Sequence, residues 1–340
     1  MKKKTRTTLM EIAKVAGVSA STVSNVVNGR LHLMSDETRR RIEKIIQQSN
    51  YRPNEEARNL RLSQRRTVGL IVVGDSPTFL ADPMITNIVA GLSNYLGVNG
   101  YSLLITGITH AAVESAQMLR RDQTDAICLF PSGPPGERSR LFNLLRPLGQ
   151  PVVVFQDRPP QDMPDAVSIR QDDRKAGRLI AERLLARGAT RLAFLSPAQR
   201  WSAMAEREAG VREIAEGRGF GLDMVISGSE GVADTETAMD RYAERAGLPD
   251  AVIGGNDQMA IAAMNWALDR NLRVPQDLRV AGFNGFVLTA LARPALTTVN
   301  SPAYELGLRG AELVIRRLRE GRFADTDVVF DVALRPGKSD

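Results

Sequence analysis

The sequence has few of the residues on which disulfide, metal and covalent chemistry depend. Its 340 residues include one cysteine, Cys128, and only two histidines. A single cysteine cannot form an internal disulfide, and Cys128 lies in the apolar run 126–130, where a buried thiol is expected rather than a nucleophile. No Cys/His cluster has metal-ligand spacing, and no glycine-rich phosphate loop or Gly-x-Ser-x-Gly elbow occurs. We therefore expect no enzyme activity, no cofactor and no metal.

Long apolar runs are also missing. No stretch reaches the length of a membrane span, and the N-terminus is polar and basic without an apolar signal core. A hydrophobic content of 43% and a charged content of 25% are those of an ordinary globular protein, long enough here for two or three domains. These features predict a cytoplasmic protein with no membrane partner.

The positive charge is concentrated at the N-terminus. The first 66 residues contain 15 Lys and Arg against 6 Asp and Glu, whereas the rest of the chain contains 30 against 33. The whole basic excess therefore lies in the N-terminal segment, as expected if that segment contacts nucleic-acid phosphates.

The same segment has the pattern of three short helices. Thr8 and Glu11 form a capping-box pattern at the start of the first helix, and Gly17 supplies a turn. Ser19 then caps a second helix, and Ser35 begins a third. Two short helices joined by a tight glycine turn are the helix-turn-helix layout, whose second helix enters the DNA major groove.

The exposed side of the second helix carries short polar residues, among which Asn can bond adenine through two hydrogen bonds. An ordinary solvated helix face would have the same composition, so the pattern alone leaves both interpretations open. The candidate DNA contacts of this helix are Ser19, Ala20, Ser21, Thr22, Ser24, Asn25 and Asn28.

Specific residue types recur at fixed spacing from residue 8 to residue 61. They are Ile12-Ala13, Ala16-Gly17-Val18-Ser19, Thr22-Val23-Ser24, Ser35-x-x-Thr38-Arg39, Asn50-Tyr51-x-Pro53-Asn54 and Ala57-x-x-Leu60. This pattern resembles the N-terminal region of the LacI family of bacterial transcription regulators. The resemblance implies a homodimer on a near-palindromic, double-stranded operator, with a hinge helix after Asn54.

The resemblance also implies that the hinge contacts DNA through Asn54, Ala57 and Leu60. In the family, two hinge helices meet in the minor groove and a leucine at the position of Leu60 wedges into the central base step. Such a wedge is physically reasonable, because extra contacts on the bent duplex offset the cost of unstacking. The alternative is that Leu60 is a core residue of a fourth helix.

One position departs from the family pattern within the reading helix. Many members carry Arg or His where this chain has Asn25. Arg pairs with guanine in the major groove, whereas Asn pairs with adenine. We therefore predict adenine rather than guanine opposite Asn25.

Beyond the linker at 63–66, apolar runs alternate with helical stretches. Continuous apolar strands alternating with helices predict buried parallel sheets covered on both faces, and the number of units predicts two sheets with a cleft between them. The strand candidates are Val68–Val73, Ser102–Thr106, Ala126–Phe130, Val152–Gln156, Leu192–Leu195, Ala251–Gly254 and Val280–Phe283. The helix candidates are 84–98, 112–121, 137–146, 173–187, 204–217, 235–246, 257–270 and 303–320.

This region also resembles the LacI family, through its effector domain, which is itself similar to periplasmic sugar-binding proteins. The clearest matches are Asp157-Arg158, Arg187-Gly188-x-x-Arg191-Leu192-Ala193-Phe194-Leu195, Arg207-x-x-Gly210, Asn256-Asp257-Gln258-Met259-Ala260, Arg273-Val274-Pro275-x-Asp277-Leu278 and Pro294-x-Leu296-Thr297-Thr298-Val299. The predicted fold class is α/β, with an all-α helix-turn-helix headpiece and hinge helix over 1–64. A two-lobed effector-binding and dimerisation domain follows over 65–340, with one lobe at about 67–165 plus the C-terminal segment and the other at about 166–290.

Ligands of open α/β sheets bind beyond the carboxyl ends of the strands, near helix N-termini. That rule selects Asn256, Asp257 and Asn284, and the family resemblance adds Arg207. Amide, carboxylate and guanidinium groups suit a sugar or polyol, and an aromatic ring at Trp201, Phe79 or Phe286 could stack on it. The alternatives are that Asp257 only caps its helix, that Arg207 pairs with a surface carboxylate, and that Trp201 covers the hinge.

Asn284 is a second departure from the family. Sugar-binding relatives commonly have Asp there, so a neutral amide replaces an anionic acceptor and strong charge-assisted acceptance of hydroxyls is lost. The exchange favours an acidic ligand. The sequence therefore predicts a DNA-binding transcription regulator, most simply a repressor, controlled by a carbohydrate-related effector such as a sugar or sugar acid. The alternative function is a solute-binding protein without a DNA role.

Overall fold

The computed structural model describes residues 7–27, 30–49, 51, 65–74, 78–116 and 123–340. The chain divides into two compact units, with the boundary between Arg65 and Arg66. No helix in the described ranges is long and apolar enough to cross a membrane.

The N-terminal unit contains three helices, α1 (Leu9–Ala16), α2 (Ala20–Val27) and α3 (Asp36–Ser49). The predicted capping box is confirmed, because Thr8 Oγ1 accepts a hydrogen bond from the Glu11 amide at 3.3 Å and the Thr8 amide donates to Glu11 Oε2 at 2.7 Å. Gly17 ends α1 with φ +64°, a conformation that glycine adopts without strain. The buried core of this unit is Ile12, Ala13, Ala16, Val23, Val26 and Ile42.

The second unit contains two sheets, as the sequence predicted, and each sheet has six strands. The first sheet has the order β11-β5-β4-β3-β1-β2, and the second β12-β10-β9-β8-β6-β7. All pairs are parallel except β10 with β12. The strands are β1 (Thr67–Val73), β2 (Ser102–Ile108), β3 (Ala126–Phe130), β4 (Val152–Phe155), β5 (Ala166–Gln171), β6 (Leu192–Pro197), β7 (Leu222–Ser227), β8 (Ala251–Gly254), β9 (Arg279–Asn284), β10 (Thr297–Asn300), β11 (Asp327–Phe330) and β12 (Ala333–Arg335).

Eight further α-helices cover the sheets in the described ranges. They are α4 (Pro83–Val98), α5 (Pro135–Leu145), α6 (Asp173–Ala186), α7 (Ser202–Gly217), α8 (Val232–Ala246), α9 (Asp257–Asp269), α10 (Val287–Leu291) and α11 (Ala303–Glu320). The helix predicted at 112–121 differs: His110–Ser115 is a 3₁₀ helix, and 117–122 lie outside the described residues.

In the structure, the boundary between the two lobes lies later in the chain than the sequence predicted. β5 pairs with β4 and β11, so 166–171 belong to the first lobe, although 166 was predicted to begin the second. The second sheet in turn extends past 290, because β10 and β12 join it. The chain therefore crosses between the sheets after β5, β10 and β11.

The two lobes are packed by buried apolar side chains on both faces of each sheet. Val68, Leu70 and Cys128 lie in one core of the first lobe, and Ile71 and Leu129 lie in the other. The second lobe repeats the arrangement around Phe194 and Phe283 on one face and Leu195 and Val280 on the other. Cys128 is buried, as predicted for a strand thiol, and burial raises its pKa to about 12.

Candidate functional site

The start of α2 is a network of hydroxyl groups. Ser19 Oγ accepts a hydrogen bond from the Thr22 amide at 3.2 Å, which satisfies one of the unpaired N–H groups of the helix start. The same oxygen lies 2.7 Å from Ser21 Oγ and 2.9 Å from Thr22 Oγ1. The predicted contact residues Ser19, Ser21 and Thr22 are therefore held together at one end of the helix.

The outer face of α2 carries Ser21 and Asn25 one turn apart, opposite the buried Val23 and Val26. Ser21 is exposed, and Ser24 and Asn25 are half-buried. Ala20 differs from the prediction, because it packs partly against the core of the N-terminal unit and its methyl group is only partly available. The predicted contacts Asn28, Asn54, Ala57 and Leu60 lie outside the described residues.

The centre of the second unit is the Arg207 side chain of α7, which is only 2% exposed. Its Nε donates to Asp173 Oδ1 at 2.7 Å, its Nη1 to the Gly255 carbonyl at 2.8 Å and its Nη2 to Asn284 Oδ1 at 2.8 Å. The guanidinium also lies over the Phe283 ring, 5.0 Å from its centroid. Arg207 thus ties together the start of α6 and the carboxyl ends of β8 and β9.

The partner of Arg207 is a buried carboxylate that the sequence analysis did not select. Asp173 is 5% exposed and also accepts a hydrogen bond from Gln171 Nε2 at 2.8 Å. Burial raises the pKa of Asp173, and the Arg207 charge opposes that rise. The alternative that Arg207 pairs with a surface carboxylate is therefore wrong, since the pair is buried at a lobe crossing.

The turn after β8 brings the predicted Asn256 to another missed carboxylate. Asn256 caps α9, with its Oδ1 accepting from the Met259 amide at 2.9 Å, while its Nδ2 donates to Glu230 Oε2. Burial, with a smaller contribution from the charge of Asp82, raises the pKa of Glu230 to about 7, against the opposing effects of the Asn256 hydrogen bond and the Arg207 charge.

Asp257, the next residue along the chain, is buried and only 6% exposed. Its Oδ2 accepts from the Gly285 amide and its Oδ1 from Thr298 Oγ1, both at 2.6 Å. Burial raises its pKa to about 7 against the opposing effects of these hydrogen bonds and of the Arg207 charge. The alternative that Asp257 only caps its helix is therefore wrong, because Asn256 caps α9 and Asp257 joins the turn after β9 to β10.

Asn284 has an unusual backbone for a residue with a side chain. Its φ is +108°, and Gly285 follows with φ +68°. A positive φ is costly for a residue with a side chain, and it persists where surrounding structure holds it. Here the bond from Arg207 and the bond from Gly285 to Asp257 hold the turn, which fixes the Asn284 amide at the end of β9.

Two of the predicted aromatic residues, Trp201 and Phe79, make no hydrogen bond or ring contact with the Arg207 cluster in the described part of the chain. Trp201 precedes α7 and packs against the second-lobe core. The Phe79 ring lies against Gly107 of β2, where a Cβ atom would come 2.2 Å from Cε1. Both residues are half-buried.

A polar cavity of about 280 Å³ lies between the lobes, beside the crossing after β5. Its walls include Gln156 and Asp157 from the first lobe and Asp173 and Ser202 from the second. Asp157 joins the lobes, because it accepts from Arg138 Nη1 at 2.6 Å and from Ser202 Oγ at 2.8 Å. Arg138 Nη1 also contacts Ser202 Oγ.

These features define a DNA-binding transcription regulator with an effector-binding domain. A family model described as "Bacterial regulatory proteins, lacI family" matches residues 8–54, and one described as "Periplasmic binding protein-like domain" matches residues 181–339. The chain belongs to the LacI family of bacterial regulatory proteins.

Similar proteins span nearly the whole chain. The HTH-type transcriptional repressor PurR of Vibrio atlanticus is 27% identical over 92% of both chains, and catabolite control protein A of Staphylococcus xylosus is 28% identical over 95% of this chain and 96% of its own. A complex of the transcriptional regulator CelR with cellobiose is 27% identical over 98% of this chain and all of its own, with a TM-score of 0.73. The Lac repressor bound to ONPG is 24% identical over the same shares, with a TM-score of 0.82.

The headpiece match excludes a solute-binding protein without a DNA role. PurR and catabolite control protein A are named as regulators of transcription or catabolite control. The similarity to periplasmic binding proteins is confined to the second unit, whereas the first unit carries the regulator-specific match.

Proposed function

We propose that this chain is a repressor that binds a near-palindromic operator as a homodimer, under the control of a small molecule in the interlobe cleft. The observation that carries the proposal is a basic helix-turn-helix unit, with hydroxyl and amide groups on the outer face of α2, in the same chain as a cleft with a buried polar floor. We assign 1–64 to the headpiece and hinge and 65–340 to effector binding and dimerisation. We also propose that the chain acts in the cytoplasm and is not an enzyme.

On the DNA side, the proposed contacts are Ser19, Ser21, Thr22, Ser24 and Asn25, with a lesser part for Ala20. Hydroxyl groups at a helix start suit phosphate oxygens, and the Asn25 amide suits a base edge. We keep Asn28 and the hinge residues Asn54, Ala57 and Leu60 in the proposal on the strength of the family resemblance.

On the effector side, the proposed contacts are Arg207, Asn256 and Asn284 at the strand ends. Asp257 is proposed as their support, because its two oxygens are already engaged. Trp201 and Phe79 are proposed as aromatic rings that lie beside the bound effector. A carbohydrate-related effector is proposed because the similar CelR structure contains cellobiose.

The experiment that tests effector binding is thermal denaturation against a panel of sugars, amino sugars, sugar acids, sugar phosphates and nucleobases. A ligand at ~100 times its dissociation constant stabilises its site by roughly 2.7 kcal/mol, which shifts the melting temperature measurably. The stabilising compound should then change operator affinity, because coupling between the two sites is reciprocal. A stabilising compound that leaves operator affinity unchanged would contradict the proposed control.

A further inference from the structure

The polar cavity of about 280 Å³ between the lobes has two buried hydrogen-bond donors among the residues of its wall. Gln156 directly follows β4 and is 8% exposed, and Arg138 lies near the start of α5. In the described part of the chain, Gln156 Nε2 and Arg138 Nε are buried and have no hydrogen-bond partner. A buried donor without a partner costs free energy, and a ligand oxygen in the same cavity would remove that cost.

Each donor is held in place by the rest of its side chain. Gln156 Oε1 accepts from the Gln171 amide at 2.9 Å, so the Gln156 amide cannot turn round without leaving that N–H group unpaired. Arg138 Nη1 donates to Asp157 Oδ2 at 2.6 Å, which fixes the guanidinium where the lobes meet. Both donors are therefore fixed parts of the cavity wall.

The buried acceptors of the same wall are already engaged. Asp157 Oδ1 accepts from Ser202 Oγ at 2.8 Å, and Asp173 Oδ1 accepts from Arg207 Nε and Gln171 Nε2 at 2.7 and 2.8 Å. Among the described residues that line the cavity, the buried side-chain atoms without a partner are nitrogens and not oxygens. The wall therefore requires acceptors from a ligand and has no unpaired buried acceptor for a ligand's donor.

The arginines of the cavity favour an anion. Arg158 and Arg170 both line the cavity, and both pair with the same carboxylate, Asp327, at 3.9 and 2.7 Å. One carboxylate cannot neutralise two guanidinium groups, so this group of three side chains keeps a positive charge. A cavity wall with such a charge attracts anionic ligands.

The carboxylates that line the cavity oppose an anion only weakly, because most of them are neutralised. Those paired with an arginine are Asp157, Asp173 and Glu206. The remaining one, Asp172, caps α6 by accepting from the Lys175 amide at 2.8 Å. Hydrogen bonding and charge in the cavity wall therefore point to the same class of ligand group.

We propose that the effector carries an oxyanion, a carboxylate or a phosphate, that binds in this cavity and accepts hydrogen bonds from Gln156 Nε2 and Arg138 Nε. An ionised oxyanion supplies acceptors and no donor, whereas a hydroxyl group would bring a donor that the wall cannot pair. The proposal rests on the proposed function, because it names the ligand class of the interlobe cleft. It agrees with the acidic ligand that the exchange at Asn284 favours.

The test uses the two oxyanions themselves and a neutral analogue of one of them. Acetate, inorganic phosphate and acetamide are added to the full chain at equal concentration, with the ionic strength held constant by sodium chloride. We expect acetate to raise the melting temperature more than acetamide does, by ~1 °C or more when its concentration is near its dissociation constant. A larger rise with phosphate would assign a phosphate ester to the effector, and a larger rise with acetate would assign a carboxylate.

Three variants separate binding in the cavity from a general effect of salt. Gln156→Glu keeps an oxygen for the Gln171 amide but removes the donor, so it should lose the excess of either oxyanion over acetamide. Arg138→Lys keeps the charge beside Asp157 but has no Nε donor, and it should lessen that excess. Gln276→Glu is the matched control, because Gln276 is exposed and precedes β9, whereas the cavity lies beyond the carboxyl ends of β4 and β5. The control should respond as the wild type does.

A wild type that acetate and phosphate stabilise no more than acetamide does would overturn the proposal. An excess that Gln156→Glu retains in full would overturn it as well, since the oxyanion would then bind elsewhere. Operator binding by the wild type is measured in parallel. Specific operator binding without an oxyanion effect would reject the ligand class and leave the proposed function standing, whereas absence of operator binding would reject that function itself.

Discussion

A single arginine connects the elements that line the cleft. Arg207 joins α6, β8 and β9 through Asp173, Gly255 and Asn284, and its guanidinium covers the Phe283 ring. Because Asp173 is buried and charged, removing Arg207 leaves an uncompensated carboxylate in the interior. Arg207 is therefore a structural residue as well as a candidate ligand contact.

This arrangement predicts a large loss of stability in Arg207→Met. Breaking a buried ion pair by removing one partner costs about 3–5 kcal/mol. Arg212→Met in the same helix is the control, because Arg212 pairs with Glu208 at a more exposed position and such pairs are worth ~1 kcal/mol or less. Urea denaturation measures both, and equal losses in the two variants would contradict the role of the pair.

Glu230 predicts a pH dependence of stability. Its pKa is about 7 in the folded chain against an ordinary value of 4.5. Between these two values the folded chain keeps a proton that the unfolded chain has released, so the free energy of unfolding falls as pH rises from about 4.5 to about 7. Asp257 acts in the same direction and remains in any Glu230 variant.

The measurement is urea denaturation of the wild type and Glu230→Gln at several pH values between 5 and 8. The free energy of unfolding should decrease less with rising pH in Glu230→Gln than in the wild type, because glutamine has no proton to release. A variant whose curve runs parallel to that of the wild type would show that Glu230 does not titrate in this range.

The sequence was a good guide to some of these residues and a poor one to others. Asn256 and Asn284 were found because they follow strongly apolar strands, and the carboxyl-end rule then applies. Asp173 and Glu230 follow β5 and β7, which alternate apolar and polar residues too weakly to be recognised as strands. The same rule would have selected both carboxylates had those strands been identified.

At the scale of elements, close helix packing depends on glycine. A Cβ atom at Gly177 of α6 would lie 2.1 Å from the Arg207 carbonyl oxygen, and one at Gly210 of α7 would lie 2.0 Å from the Arg174 carbonyl oxygen. The backbones of α6 and α7 therefore touch beside Arg207. This contact sets the position of the arginine relative to Asp173.

Gly177→Ala should accordingly destabilise the chain by about 1–3 kcal/mol, because the helices must separate to admit the methyl group. Gly217→Ala in α7 is the matched control, since nothing lies within 4 Å of its added Cβ atom. Alanine is the better helix former, so the control should be neutral or up to ~1 kcal/mol more stable. A Gly177→Ala protein as stable as the control would contradict the contact.

Element prediction succeeded where apolar runs were long. The central strands β1, β3 and β8 and the helix α9 agree with the sequence to within a residue or two at their ends. The edge strands β7, β11 and β12 were missed, because an edge strand exposes one side and loses the continuous apolar run. The order of β5 and β10 in the sheets, and hence the lobe boundary, could not follow from local pattern, since pairing is decided by distant segments.

At the scale of the whole molecule, the two lobes of the second unit are joined in a way that lets a ligand in the cleft change their arrangement. The lobes are joined after β5, β10 and β11 and touch again where Asp157 meets Ser202. The cavity beside this contact is lined by residues of both lobes, so a ligand in it interacts differently with open and closed lobes. Such differential affinity is what a ligand needs in order to shift a conformational equilibrium.

The central claim is that α2 reads a specific DNA sequence. The most direct measurement is selection of bound duplexes from a random pool by the full-length protein, repeated with Asn25→Ala. We predict an inverted repeat, with an adenine in each half-site whose enrichment is lost in Asn25→Ala. A pool with no enriched sequence after selection, or an inverted repeat that Asn25→Ala leaves unchanged, would contradict the account.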